Sequence, residues 1–75
     1  MERLTKELLI SRLNEIIEIS KEAIPGENWS EENYLYELPR KWELSRVVIV
    51  DDKIVGYTII SEKESSLHLH KIVVK

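Results

Sequence analysis

Apolar residues in the first third of the chain fall at helical intervals. Leu9, Leu13, Ile16, Ile17 and Ile24 recur at steps of three, four and seven, with Glu15, Glu18, Lys21 and Glu22 between them. This spacing predicts an amphipathic helix from about residue 5 to residue 23. Thr5 suits its N-cap, Lys6 and Glu7 fall in the first turn, and Pro25-Gly26 closes it. The same pattern allows a break at Ser11, with a short strand or separate turn before it. A second helix opens in NWSEENYLYELPRKW. The Ser30 hydroxyl can accept a bond from a first-turn amide, and Glu31 and Glu32 stand where the helix dipole favours negative charge. Trp29 before the cap and Tyr34 near the fourth helical position have the spacing of a hydrophobic staple. Leu35 and Leu38 share a face, and Pro39 ends the regular part at about Leu38.

Beyond residue 46 the chain is rich in Val and Ile with strand signals. RVVIV and IVGYTII are separated by Asp51, Asp52 and Lys53, a tight hairpin signal without the Asn-Gly or Asp-Gly pair of the strongest case. SEKESS is a polar turn into LHLHKIVV. The apolar run at 47–50 suggests a strand covered on both faces, or one whose second face meets another element. Gly56 within the middle strand calls for a bend or close approach that uses its missing side chain. The predicted fold class is α+β: a single domain, residues 1–75, of two N-terminal helices on one face of a three-stranded antiparallel meander.

The last strand carries a phase error. Leu67 and Leu69 alternate with His68 and His70, but Ile72 and Val74 fall on the parity of the histidines. Without a defect, Lys71 would enter the core beside the leucines and Ile72 and Val74 would face away. A one-residue β-bulge near His70 or Lys71 resets the pleat and returns the apolar residues to one face.

Composition narrows the function classes. A chain of 75 residues lies near the lower limit for a core without staples, and the absence of cysteine excludes disulfides, thiolate metal sites and cysteine nucleophiles. That absence fits a reducing cytoplasm. Eleven basic and fourteen acidic residues, a net charge of −3 without blocks of one sign, argue against nucleic-acid binding. The longest apolar run, four residues, is far short of the roughly 20 of a membrane helix. No signal-peptide pattern opens the chain.

The order of elements, with NWSEENYLYEL, VVIVDDKIVGYTII and LHLHKIVV preceded by a helix carrying EIIEIS, resembles the N-terminal half of a GNAT-type N-acetyltransferase. The Trp-Ser pair opening the second helix is most similar to enzymes that acetylate protein N-terminal amines, such as the ribosomal-protein alanine acetyltransferases. The resemblance runs from about Leu13 to Val74. It implies acetyl-CoA as cosubstrate and an amine acceptor. It also implies that backbone groups of Ile72, Val73 and Val74, after the bulge, bond the pantetheine arm as a neighbouring strand would. The family's Gly-rich pyrophosphate loop is not among these residues, whose only glycines are Gly26 and Gly56. The expectation is therefore a fragment or half-domain that does not transfer acetyl groups unaided.

Several side chains have both a functional and a plain reading. His68 and His70 on one strand face are candidates for a metal pair or, His70 foremost, a general base; the plain reading is a solvated strand face. No third metal ligand accompanies them, and no metal is expected. Trp29 and Tyr34, with Tyr36, are candidates to line the acceptor site, the loop before the second helix bordering it by resemblance; otherwise Trp29 is only a staple. Trp42 and Tyr57 read as packing. Glu31, Glu32 and Glu37 could attract a cationic acceptor or form a wet helix face. Asp51-Asp52 reads as a turn rather than a calcium site. A second class of function is also expected: a non-catalytic module that dimerises or pairs through the apolar edge of its terminal strand.

Overall fold

A computed structural model describes residues 1–75. Thr5 caps the first helix, α1 (Lys6–Ser11), by accepting the Leu8 amide at 3.1 Å. The expected single helix is interrupted at Arg12, whose backbone leaves the helical region, and resumes as α2 (Leu13–Ala23). Arg12 bonds Glu15 within α2 and reaches the carbonyl of Asp52 in the first hairpin, so the break coincides with a side chain tied to the sheet. Within α2, Ile16 and Ile19 face inward, while Ile24 stays at the surface.

Ser30 caps α3 (Glu31–Leu35) through a reciprocal box in which its hydroxyl takes the Asn33 amide and its own amide donates to the Asn33 side chain. The Trp29 and Tyr34 rings meet edge to face at 5.1 Å, the staple geometry. The helix ends at Leu35, three residues before the expected stop. Tyr36 is already extended, and Lys41 explains why: its buried ammonium binds the carbonyls of Tyr34 and Tyr36 at 2.5 and 2.8 Å, closing the helix end from outside. After Pro39, Arg40 takes a left-handed conformation and starts a one-turn helix, α4 (Lys41–Leu44), that the hydrophobic pattern did not disclose.

The sheet has four antiparallel strands in the order β1 (Glu2–Arg3), β2 (Arg46–Val50), β3 (Lys53–Lys63) and β4 (Ser66–Val74). The expected three-stranded meander thus gains a two-residue strand at its edge. Both hairpins are two-residue turns with both central residues left-handed, Asp51-Asp52 and Glu64-Ser65, the twist-matched geometry that pairs Val50 with Lys53 and Lys63 with Ser66. One bulge lies on β3 at Val55, opposite Val48 and Ile49. Gly56 beside it is the required close approach: a Cβ there would lie 3.0 Å from the Val73 carbonyl oxygen.

All helices pack on one face of the sheet. Leu4, Leu9, Ile16, Ile19 and Tyr34 meet Val47, Ile54, Tyr57, Ile59 and Val73 in a single core. The opposite face is uncovered, which corrects the expectation that the run at 47–50 is covered on both sides or meets another element on its second face: Val47 is buried, Val48 and Ile49 are half-buried, and Val50 is exposed. No helix is long and apolar enough to cross a membrane.

Candidate functional site at the bulged strand

The second bulge lies on β4. Ile60 pairs with Leu69 and Ile59 with Lys71, leaving His70 as the extra residue, where the phase error placed it. Leu67, Leu69, Ile72 and Val74 consequently share one face, but it is the uncovered one: they are 67%, 54%, 57% and 72% exposed. The residues that enter the core side are Val73 and, unexpectedly, Lys71, only 5% exposed. The parity was therefore legible and the choice of face was not.

Lys71 is tolerated inside because its surroundings are built for a cation. Its ammonium lies 2.8 Å from a Glu27 carboxylate oxygen, off the direction of a good hydrogen bond, so the contact is an ion pair. The same ammonium sits 4.6 Å from the centre of the Trp29 ring and 5.2 Å from that of Tyr34. In return, the Lys71 ammonium holds the Glu27 carboxyl below its ordinary range against the opposing effect of burial. Trp29 thus forms one wall of a filled internal cation box. Tyr34 is a core residue whose hydroxyl meets that of Tyr57 at 3.1 Å, and it borders no open cleft. Burial and this contact push the Tyr57 hydroxyl well above its ordinary range.

Beyond the bulge β4 has one free edge. The Lys75 amide donates to the Val55 carbonyl at 2.8 Å, and polar groups along a strand alternate sides. Lys71 and Val73 therefore turn their backbone groups toward β3, while Ile72 and Val74 turn theirs outward. Of the three residues expected to offer backbone contacts, Ile72 and Val74 are free to do so, and Val73 is committed to the ladder. On the uncovered face, Met1, Val48, Val55, Ile72 and Val74 line an apolar depression of about 380 Å³.

On the helix side, the distal part of the β3–β4 hairpin and the loop at Leu38 and Pro39, joined by the Glu62 amide on the Pro39 carbonyl, form a groove of about 410 Å³ that is also lined by Ser61, His68 and His70. The two imidazoles lie 4.4 Å apart. His70 Nε2 is 2.7 Å from the Ser61 hydroxyl. Burial, then the neighbouring His68 and Lys41, lower the pKa of His70, so it stays neutral further into acid. No three His, Asp or Glu side chains converge in a way that would hold a metal ion. Sequence reasoning missed Ser61 and Glu27. Ser61 left one trace, a hydroxyl at an inward position of an otherwise apolar alternation.

The arrangement offers three things chemically: a strand edge with unpaired amides, an imidazole at the bulge and a naked apolar face. No protein-family model, curated protein or solved structure matches this chain.

Proposed function

We propose that this chain forms the acceptor-side portion of an amine N-acetyltransferase, with the free edge of β4 as one wall of an acetyl-CoA groove. The observation that carries the reading is the bulge at His70 followed by outward backbone groups at Ile72 and Val74. An extended, amide-bearing arm can pair with such an edge as another strand would, and the apolar side chains there do not interfere. The resemblance of the local sequence signatures to the GNAT family points the same way. Phosphate binding is not assigned to these residues: Gly26 lies in the turn after α2, and Gly56 is packed against β4. The acceptor is an amine, with a protein N-terminus favoured by the Trp-Ser opening of α3; the Trp29 ring itself is occupied by Lys71 and is not assigned to the acceptor. The cysteine-free composition agrees with a cytoplasmic setting. Amide NMR of the chain titrated with acetyl-CoA tests the proposal. Shifts centred on Ile72 and Val74 are expected, while shifts confined to other surfaces, or none at millimolar cofactor, sink it.

A second reading is favoured by the uncovered sheet face: a pairing module whose partner is a second copy. Antiparallel pairing of two β4 edges sets Leu67, Leu69, Ile72 and Val74 beside the same residues of the other copy, with no charge on that row. Sedimentation equilibrium decides it. Concentration-dependent dimerisation that Ile72→Lys abolishes supports the module, and a strict monomer at hundreds of micromolar removes it.

A further inference from the structure

The contact between Ser61 and His70 joins β3 to the bulge of β4 outside the hydrophobic cluster. His70 is the extra residue of the bulge, half-buried at the mouth of the groove beside Leu38 and Pro39, and its ring meets a buried hydroxyl from β3 at 2.7 Å. A bulge re-aims a side chain, and this one aims an imidazole two residues before the first outward-facing amide of the proposed cofactor edge.

We propose that Ser61 is a positioning residue that fixes His70 with Nε2–H donating to its hydroxyl oxygen, so that Nδ1 is the base that takes a proton from the acceptor amine. The inference rests on the acetyltransferase reading and deepens it. The choice of tautomer follows from the proton transfer itself. With Nε2–H on Ser61, the hydrogen bond is the same before and after Nδ1 is protonated, and neither ring nor hydroxyl turns. The opposite tautomer would require the buried hydroxyl to reverse its direction at each transfer. The acceptor arrives as an ammonium and gives one proton to Nδ1. The nitrogen lone pair then forms the C–N bond as the thioester C–S bond breaks, its electron pair leaving on sulfur. The second nitrogen proton passes to that thiolate, and His70 returns its own to solvent. The charged and titratable groups around His70 are His68 on β4, Lys41 on α4, and Glu62, Lys63 and Glu64 along the groove, Glu62 being held by Arg40. His68 and Lys41 both favour the neutral imidazole that a base requires.

The test uses the 75-residue chain with labelled histidine, together with the Ser61→Ala, Ser61→Thr, His70→Gln and His70→Ala variants, each first checked for a native amide spectrum. Long-range proton–nitrogen correlation should show wild-type His70 in the Nε2–H tautomer and protonating at higher pH than in Ser61→Ala, because the donated bond strengthens when the ring is charged. Ser61→Thr should restore the wild-type pattern. A mixed tautomer in the wild type, or one unchanged in Ser61→Ala, overturns the positioning role. An alanine-initiated peptide is then added to the chain with acetyl-CoA, and the His70 ring nitrogens are followed, since these residues are not expected to complete the transfer unaided. The peptide should shift Nδ1 while Nε2–H stays on Ser61, should lose that selectivity in Ser61→Ala, and should cause smaller amide shifts near the bulge in both His70 variants. If acetyl-CoA shifts the Ile72 and Val74 amides but the peptide leaves Nδ1 of His70 unmoved, the base assignment is overturned and the cofactor edge stands. If those amides do not respond to acetyl-CoA, the parent reading itself fails.

Discussion

The two faces of this sheet invert the usual distribution of residues. The face under the helices holds Lys71, Lys41, Ser20, Ser45 and Ser61 out of water, whereas the face without helices presents Leu67, Leu69, Ile72 and Val74 to it. The buried charges persist because each has a specific environment: Lys71 has Glu27 and two rings, and Lys41 has two carbonyls and the Trp42 ring at 4.6 Å. The exposed leucines and valines have nothing comparable. A polar group inside needs partners already present in the fold, whereas an apolar group outside marks a contact still to be made. The inner face thus reports on stability and the outer face on association.

Removing one partner from the inner face should have the largest effect. Glu27→Gln leaves the Lys71 ammonium buried beside the rings without a counter-charge and is expected to cost about 3 kcal/mol in urea unfolding. The double variant Glu27→Gln with Lys71→Met removes both charges and should recover to within about 1 kcal/mol of the native chain. A single variant that loses less than the double would mean that the box does not hold the loop between α2 and α3 to β4.

Acid should reveal the same box. Glu27 sits below the ordinary carboxyl value of 4.5 chiefly because of Lys71, and Glu15 does so chiefly because it accepts the Ile54 amide. For a carboxyl depressed in the folded state, the stabilisation is present above the unfolded value and is lost as pH falls through the folded one. Stability should therefore decline below about pH 4.5, and less steeply in Glu27→Gln. Lys41 acts in the opposite sense. Burial lowers it to about 8 from 10.5, so between those values the unfolded chain holds a proton that the folded chain has released, and stability should rise with pH there. A flat profile from pH 8 to 9.5 would contradict the burial of its ammonium.

What could be read in advance was local. Thr5 and Ser30 as caps, the Trp29–Tyr34 staple, both hairpins and the bulge at His70 each depend on neighbours within a few residues. Face assignment is not local. Alternation groups Leu67, Leu69, Ile72 and Val74 together, but only the placement of Glu27 and Trp29 decides that Lys71 is the residue turned toward the helices. The early end of α3 escaped for a similar reason, since it depends on an ammonium arriving from Lys41. A strand as short as Glu2–Arg3 has no periodicity to detect. Within the candidate site, the bulge at His70 was legible from the phase error, whereas a cofactor role for the edge after it was suggested by the family resemblance alone. The partnership with Ser61 was not, because it is set by the register across the second hairpin.

The close approach at Gly56 is a smaller test of how the two faces are joined. Its neighbour is a backbone oxygen that cannot rotate away, so Gly56→Ala must push β4 from β3 at Val73, the residue between the two outward-facing amides. A cost of about 1–2 kcal/mol is expected, with amide shifts spreading through 72–74 rather than staying at the substitution. A neutral Gly56→Ala would show that the strand pair has slack at that point.

The smallest effect on folding is expected on the outer face, and it carries the most functional information. Leu69→Ser and Ile72→Ser remove exposed apolar surface and should change unfolding stability by no more than about 0.5 kcal/mol. The same changes should lower binding of an apolar dye and any concentration dependence of the amide spectrum. If instead they destabilise the isolated chain as strongly as a core substitution, the outer face is already packed in solution, and the contrast between the two faces disappears. If stability holds and association falls, the exposed row on β4 is a surface for contact, and the bulge at His70 is what gathers it onto one face.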